Sequence, residues 1–446
     1  MEAIIDIIKR LLGITSKPCH TVDNLFILGG YDARLSSDTD EWEGGKIEDL
    51  AYDYFTIVGP YNPYCPAEEP ECNWLDNWMA EHVEECCENN ICLAYTIVPN
   101  RDNGFPIRNT DLADASDEDM EGWINDVEEQ ARRALDNPDL NGRIAIWCMK
   151  PEEMAPPPDR IHESLLARMY EKIKELDPLE RPIMMFEPQH ARLTRLKDHI
   201  PYQDILSVAI YPHHAGNSHN RLQVRNAMER MMQAIDETRS TALPIPTLEM
   251  WDANEPPEGA HPGEAYPLDP VDIPRFVTHD AFCAFANGAK GFFIWSMWRR
   301  SFFGENYSTF YHAWRGVSHQ LHDWKLKEVI LKGNILEGIE AEVTTGEETI
   351  RFLWEATGAD ETYPSLSQRA WAYASNIYVL VVSSSEEPVE FTLSGMPNGT
   401  YEELFTEVNY TTSSDGSLAL SLPALGVLLL KGGSRGCLGA LLGRLF

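Results

Sequence analysis

The chain has 446 residues, of which 43% are hydrophobic, so it can bury a large core and form more than one domain. Its 36 Lys and Arg residues stand against 71 Asp and Glu residues, which gives a formal net charge of −35. A surface this acidic disfavours nucleic acids and anionic membranes as partners, and the lack of an apolar run of about 18 residues predicts no membrane-spanning helix.

Residues 1–20 predict a short amphipathic helix at the N-terminus. Isoleucines and leucines recur at helical spacing up to Leu12, and Glu2 and Asp6 stand where a signal peptide carries basic residues. The segment therefore does not match a signal peptide. We expect it to pack against the following domain, with a membrane or assembly contact as the alternative.

Short apolar or β-branched runs alternate with segments of helical periodicity over residues 21–333, which predicts βα units and a parallel sheet. The predicted strands are Leu25–Tyr31, Tyr54–Gly59, Ile91–Val98, Arg143–Met149, Pro182–Phe186, Ile205–Tyr211, Ile245–Trp251 and Gly291–Trp298. The predicted helices are Lys46–Tyr52, Trp74–Glu88, Asp117–Leu135, Ile161–Leu176, Ala191–His199, Asn220–Thr238, Ile273–Asn287 and Tyr311–Trp324.

Eight strands over about 300 residues predict a (β/α)₈ barrel, the TIM-barrel fold. A doubly wound open sheet is the alternative fold. It would need fewer strands, and Gly29-Gly30 does not match the phosphate-binding glycine pattern that usually follows its first strand. The sequence therefore favours the barrel.

After about residue 335 the helical periodicity stops, and short apolar runs separated by turn residues replace it. This pattern predicts a small antiparallel β-sandwich over residues 334–432. The runs are Ile350–Trp354, Ala370–Tyr373, Asn376–Val382, Val389–Leu393, Leu418–Leu422 and Gly426–Lys431. Residues 433–446 are rich in Gly and Leu and form a tail.

The cysteines and glycosylation sequons bear on the compartment. Cys65 and Cys72 flank a short loop and are candidates for a disulfide, while the cysteines lack the paired spacing of a structural zinc site. Sequons begin at Asn306, Asn398 and Asn409. Together they favour an extracellular or cell-surface protein, although no signal peptide is recognisable.

The active site of a (β/α)₈ barrel lies at the carboxyl ends of the strands. These ends are rich in carboxylates, aromatics and amides, which suit sugar binding because aromatic faces stack on pyranose rings and polar groups bind hydroxyls. The predicted substrate-binding residues are Tyr31, Asp32, Asn100, Lys150, Glu187, Tyr211, His213, His214, Trp251, Asp252, Trp295 and Trp298. No metal site and no cofactor are predicted, because the adjacent His213 and His214 lack an evident third ligand.

Three motifs carry a family resemblance: Glu249 in PIPTLEMWD, Tyr211 in AIYPHH, and the segment GAKGFFIWSMW. With them, residues 25–330 resemble the clan A superfamily of retaining (β/α)₈ glycoside hydrolases, in which a following β-sandwich is also common. The resemblance implies that the Glu ending strand seven, Glu249 here, is the nucleophile. It also implies an acid/base Glu at the end of strand four.

The resemblance further implies roles for the residues around Glu249. Tyr211 is expected to orient the nucleophile, and Trp295 with His213 or His214 is expected to hold the sugar. The alternative is a purely structural role, in which the carboxylate of Glu249 pairs with an Arg at the barrel mouth.

Strand four departs from the family pattern. The family has Asn-Glu or Asp-Glu before a Pro, whereas this chain has Met149-Lys150 before Pro151. We therefore predict a shifted proton donor, Glu152 first and Glu153 second. A neighbouring Lys lowers the pKa of a carboxylate, which argues against this assignment, and both could instead be first-turn acids of the next helix.

The sequence thus predicts a retaining glycoside hydrolase acting on a neutral or weakly charged oligosaccharide or glycan. Retaining hydrolysis needs two carboxylates about 5–5.5 Å apart, and an inverting enzyme, with a wider separation, is a weaker alternative. The alternative from another class is a catalytically silent carbohydrate-binding or structural barrel in a surface assembly. The oligomeric state is open, with a homo-oligomer among the options.

Overall fold

The computed structural model describes residues 19, 25–31, 33–36, 44–59, 78–97, 116–149, 163–216, 220–250, 268–297, 306–354 and 358–432. The predicted N-terminal helix, the Cys65–Cys72 pair and the tail lie outside the described residues. Within them, no helix has both the length and the apolar character needed to cross a membrane.

The fold class is a parallel (β/α)₈ barrel with antiparallel sheets in the C-terminal region, which confirms the prediction. The chain divides into two compact units. One comprises Met1–Leu25, Gly29–Phe186 and Pro201–Asp204, and the other comprises Phe26–Leu28, Glu187–Ile200 and Ile205–Phe446. The C-terminal sheets therefore belong to the same unit as the last barrel strands.

The first unit contains strands β1 to β5, almost in full, and the helices between them. The strands are β1 Leu28–Gly30, β2 Ile57–Val58, β3 Cys92–Ile97, β4 Ile144–Met149 and β5 Ile183–Glu187. The helices are α1 Ile47–Tyr52, α2 Trp78–Asn89, α3 Asp117–Asp136, α4 Pro138–Arg143 and α5 Glu163–Leu176. Consecutive strands pair in parallel. Every residue of β3 and β4 is buried, as expected of parallel strands that helices cover.

Local chemistry explains where α3 and α4 begin. The hydroxyl of Ser116 accepts the N–H of Asp119, whose carboxylate accepts from the backbone N–H of Ser116, so this pair forms a capping box. Helix α4, which was not predicted from the sequence, begins with an Asn137 cap followed by Pro138 at the first helical position. That pair of residues is a start signal visible in the sequence.

A buried ion pair, with its partner Trp147, and a disulfide link distant parts of the first unit. The guanidinium of Arg181 donates twice to the carboxylate of Asp177, from Nε and Nη2, each at 2.9 Å, and the indole N–H of Trp147 donates to the same carboxylate at 2.8 Å. Cys19 and Cys92 form a disulfide that spans 73 residues. Nothing in the cysteine spacing pointed to this pairing.

In its described residues, the second unit contains the remaining barrel strands and five α-helices. The strands are β6 Ile205–Ile210, β7 Leu243–Pro244, β8 Thr247–Glu249 and β9 Phe292–Trp295. The helices are α6 Leu193–His199, α7 Leu222–Thr238, α8 Ile273–Ala286, α9 Tyr307–Asp323 and α10 Leu326–Lys332. The seventh barrel strand is split in two: β8 lies within the predicted run Ile245–Trp251, β7 lies just before that run, and both pair with β6. Pro244 and Pro246 explain the split, because proline has no N–H for the ladder.

The two larger C-terminal sheets share one hydrophobic core. The strands are β10 Asn334–Ile335, β11 Glu340–Thr345, β12 Thr349–Trp354, β13 Ala359–Pro364, β14 Leu366–Tyr373, β15 Asn376–Ser383, β16 Val389–Ser394, β17 Thr400–Glu403, β18 Val408–Thr411, β19 Leu418–Leu422 and β20 Val427–Gly432. A six-stranded sheet has the order β10-β14-β15-β20-β17-β18, and a three-stranded sheet has the order β11-β16-β19. Alternate residues of both sheets, such as Val379 and Val381 of β15 and Phe391 and Leu393 of β16, pack together, as in a β-sandwich.

The hairpin β12–β13 packs on α7 instead of joining that core. Phe352, Trp354 and Tyr363 form a small apolar cluster with Leu222 at the start of α7. The amide of Asn226 donates to the hydroxyl of Tyr363 at 2.8 Å. The hairpin therefore supports the helix that follows the β6 loop.

Candidate active site

Glu249 is the last residue of β8 and is 3% exposed. Parallel pairing places it beside Trp295 at the end of β9. The indole N–H of Trp314 in α9 donates to the backbone oxygen of Glu249 at 3.2 Å, which fixes the strand end. The nucleophile predicted from the sequence thus lies at the carboxyl end of its strand, where active-site residues of such barrels lie.

Two backbone N–H groups hold the carboxylate of Glu249. The N–H of His213 donates to Oε2 at 2.9 Å, and the N–H of His214 donates to Oε1 at 2.8 Å. Both belong to the turn after β6, which closes through a bond from the N–H of Gly216 to the oxygen of His213. Gly216 has a φ of 74°, which glycine adopts without strain. The turn therefore presents successive N–H groups to one carboxylate.

Arg221 brings a positive charge near the same carboxylate. Its Nη2 lies 3.9 Å from Oε2 of Glu249. Its Nε donates to Asp280 of α8 at 2.8 Å, and its Nη2 also bonds to Asp280. The guanidinium lies 4.5 Å from the centre of the Phe276 ring, so its apolar face is covered. Arg221 is thus in direct ion pairing with Asp280 and only at the outer limit of pairing with Glu249.

Burial raises the pKa of Glu249 to about 8. Arg221 and the two backbone N–H groups favour the ionised form, and Asp280 disfavours it, but loss of hydration is the largest effect. A carboxylate with such a pKa takes up or releases a proton near neutral pH. This property is common among catalytic carboxylates.

Aromatic rings border the site. Tyr211, directly after β6, stacks on Trp295 with ring centroids 5.4 Å apart and an interplanar angle of 26°. The ring of His214 lies edge-on to Tyr211 at 6.4 Å. Trp295 and His214 are half-buried, whereas the His213 side chain is fully buried. The structure thus brings together Glu249, Tyr211, His213, His214 and Trp295.

Glu187 lies in a separate buried cluster. One carboxylate oxygen accepts from Nε of Arg195 at 2.8 Å, and the other lies 2.6 Å from Nδ1 of His199. Burial alone would raise the pKa of Glu187, but the charges and hydrogen bonds of His199 and Arg195 lower it. The carboxylate is fully buried. Its contacts are those of a structural ion pair, and its predicted role in substrate binding stays a prediction.

The other predicted site residues are either buried or outside the described residues. Tyr31 is buried and packs against Phe186, with ring centroids 5.6 Å apart. Those outside the described residues are Asp32, Asn100, Lys150, Glu152, Glu153, Trp251, Asp252 and Trp298. Their roles, including the proton donor on strand four, stay predictions.

Neither the Arg221–Asp280 pair nor the donor role of the His213 and His214 backbones was predicted from the sequence. The Arg221–Asp280 pair joins residues 59 positions apart, and no local pattern connects them. In the described residues, no three His, Cys, Asp or Glu side chains are grouped so that they could hold a metal ion.

No protein-family model matches the chain, and no curated protein matches it by sequence. Solved structures match its fold. The GH51 arabinofuranosidase from Xanthomonas axonopodis pv. citri has a TM-score of 0.53 and 10% identity over 92% of this chain and 96% of that chain. An α-amylase from Anoxybacillus has a TM-score of 0.51 and 9% identity over 94% of this chain and 95% of that chain. The α-amylase from Geobacillus thermoleovorans has a TM-score of 0.50 and 8% identity over 91% and 96%.

Proposed function

We propose that the chain is a retaining glycoside hydrolase in which Glu249 is the nucleophile. The observation that carries this proposal is the position of Glu249: it ends a barrel strand, in a fold shared with solved glycoside hydrolases, and two backbone N–H groups orient its carboxylate. Fold likeness at about 10% identity supports the reaction class by analogy. The geometry of Glu249 supports the choice of residue.

In the proposed reaction, Glu249 first releases its proton to water, because its pKa is about 8 and only the carboxylate is nucleophilic. An oxygen of the carboxylate then attacks the anomeric carbon and forms a glycosyl ester as the glycosidic bond breaks. Glu152, or Glu153, gives its proton to the departing oxygen. The same residue then takes a proton from water, and the resulting hydroxide attacks the anomeric carbon and releases Glu249. The N–H groups of His213 and His214 hold the attacking carboxylate in place throughout.

The proposed substrate is a neutral or weakly charged oligosaccharide or glycan. The half-buried Trp295, backed by the stacked ring of Tyr211, offers an aromatic surface beside the carboxylate. Such a surface suits the apolar face of a sugar ring. The net charge of −35 disfavours polyanionic glycans. The Cys19–Cys92 disulfide supports our proposal that the protein works outside the cytoplasm.

Glycosidase assays on a panel of aryl glycosides test the proposal with the unchanged chain, Glu249→Gln, Glu152→Gln and Glu153→Gln. We expect Glu249→Gln to lose activity by a factor of about 10³ or more, since the nucleophile is gone. We expect one strand-four variant to recover turnover with azide or with a good leaving group. Hydrolysis that survives in Glu249→Gln would contradict the proposal.

Glu403→Gln is the matched control. Glu403 is also 3% exposed, and its carboxylate also accepts backbone N–H groups, from Phe405, Thr406 and Leu429. It lies in β17 of the C-terminal sheet. This variant removes an equally buried carboxylate with similar contacts, so it should keep its activity below its unfolding temperature.

A specific observation favours a second candidate, a catalytically silent carbohydrate-binding barrel. Glu249 is almost fully buried, and both of its oxygens already accept hydrogen bonds, as in a structural carboxylate. Binding of oligosaccharides by the unchanged chain, with no turnover of any of them, would favour this candidate. Glu249→Gln would then reduce stability and leave sugar affinity unchanged.

A further inference from the structure

A buried network of five residues links Glu249 to the C-terminal sheets. Arg221 lies 3.9 Å from Glu249 and bonds to Asp280 through two nitrogens. Asp280 Oδ1 lies 2.9 Å from Nδ1 of His279, and Nε2 of His279 lies 3.0 Å from the hydroxyl of Ser384, just after β15. The side chains of Arg221, His279 and Asp280 are buried, so water does not screen their charges.

We infer that Asp280 is a positioning residue for Glu249. It holds the guanidinium of Arg221 in an ion pair, so this guanidinium does not form a close ion pair with the carboxylate of Glu249, which lies 3.9 Å away. The cluster contains two carboxylates and one guanidinium. The guanidinium commits Nε and Nη2 to Asp280, while its Nη1 has no hydrogen-bond partner among the described residues. Glu249 is therefore left without a full counter-ion.

The groups around Glu249 agree with this account. In the described chain, the groups that act on Glu249 are His213 and His214 after β6, Arg221 before α7 and Asp280 on α8. His279 and Cys283 on α8 face Asp280, and Tyr211 after β6 stacks on Trp295, the strand neighbour of Glu249. The two histidines after β6 contact the carboxylate through backbone N–H groups. Arg221 is the cation whose attraction lowers the pKa of Glu249, and Asp280 opposes it.

His279 contacts Asp280 at Oδ1, the same oxygen that accepts from Nε of Arg221, while Oδ2 bonds to Nη2 of Arg221. Burial lowers the pKa of His279, which favours the neutral ring. A neutral ring that donates Nδ1–H to Asp280 and accepts the Ser384 hydroxyl proton at Nε2 satisfies both contacts. The C-terminal sheets thereby help to hold Asp280 against Arg221.

Asp280→Asn tests the inference. The asparagine amide nitrogen cannot accept from Nη2 of Arg221, so the guanidinium is free to turn toward Glu249. An opposite charge at contact distance lowers a carboxylate pKa by about 1–3 units, so we expect Glu249 to titrate lower by about that amount. The readout is carbon-13 NMR of glutamate-labelled protein across pH, with Glu249→Gln assigning the resonance.

The inference rests on the proposed function only for its consequence in catalysis. The NMR titration tests the role of Asp280, and a separate measurement of kcat/KM against pH tests the role of Glu249 as nucleophile. If Glu249 is the nucleophile, the acid limb of the kcat/KM profile should fall by the same number of units as the NMR titration. Asp177→Asn is the control, because it neutralises another buried Arg–Asp pair, in the first unit. It should leave the titration of Glu249 unchanged.

Unchanged titration of Glu249 in Asp280→Asn would overturn the inference, whether or not any glycoside is turned over. If Asp280→Asn fails to fold, Arg221→Gln is measured instead, and the pKa of Glu249 must then shift in the opposite direction. Without the guanidinium, Asp280 only repels the carboxylate, so the pKa of Glu249 should rise. A shift downward, or no shift, in that variant would also overturn the inference.

Discussion

The raised pKa of Glu249 makes a measurable contribution to the pH dependence of stability. The pKa lies at about 8 in the folded chain against 4.5 for an ordinary glutamate. A group whose folded pKa lies above its unfolded pKa stabilises the fold fully below the unfolded pKa, and this contribution is lost as pH rises through the folded pKa. Folding should therefore become less favourable between about pH 4.5 and about pH 8.

Glu249→Gln isolates that contribution. A shift of about 3.5 units, at about 1.4 kcal/mol per unit, amounts to a loss of about 5 kcal/mol of unfolding free energy across this pH range. The side chain is 3% exposed, so solvent screening reduces the value little. The glutamine variant has no such proton. It adds a pH-independent cost of about 1–3 kcal/mol, because its NH₂ group faces the N–H of His213 or His214.

Urea unfolding followed by tryptophan fluorescence, at intervals from pH 4.5 to pH 9, measures the unfolding free energy of the unchanged chain and of Glu249→Gln. The difference in unfolding free energy cancels the titration of groups that the two chains share. We expect the unchanged chain to lose about 5 kcal/mol relative to Glu249→Gln over this range. A difference that stays constant with pH would refute the reasoning and would mean that Glu249 is ionised throughout.

Three further perturbations test the packing. Cys19→Ser opens a disulfide that spans 73 residues and should lower the unfolding free energy by about 4 kcal/mol in urea titrations, and an unchanged unfolding free energy would contradict the stabilising role of this disulfide. Glu187→Gln leaves the buried guanidinium of Arg195 uncompensated and should cost about 3–5 kcal/mol in urea titrations; a smaller cost would contradict the buried ion pair. Gly395→Ala places a Cβ 1.9 Å from a backbone oxygen and should lower the Tm sharply. Gly358→Ala, at a similar φ with open space around it, should cost only about 1–2 kcal/mol, and equal effects would contradict the steric account.

The barrel was predictable because its strands are short, apolar and separated by helical periodicity. Most barrel strands lie within their predicted runs, whereas β5 extends one residue beyond its run, to Glu187, and β7, Leu243–Pro244, lies just before the seventh run. The split of the seventh strand was readable in principle from Pro244 and Pro246. Strand β13, Ala359–Pro364, was missed because most of its residues are exposed and polar, so it has no apolar alternation to detect.

The site was predictable only in part. Glu249 could be predicted as a site residue because its position at a strand end can be read from the order of residues along the chain. The Arg221–Asp280 pair is a three-dimensional property, since the two residues meet only after α7 and α8 pack. The partners of Glu187 carried a weak signal, because Arg195 and His199 lie four residues apart on one face of α6.

The hairpin β12–β13 and the Ser384–His279 contact bear on how the protein can be engineered. A truncation after residue 333, made to obtain a minimal catalytic barrel, would strip the Tyr363 partner from Asn226 and uncover His279. Hydration would remove the burial that lowers the pKa of His279, and a more protonated ring would compete with Arg221 for Asp280. Shortened versions of this chain should therefore retain everything up to residue 432, and fusion partners belong beyond that point.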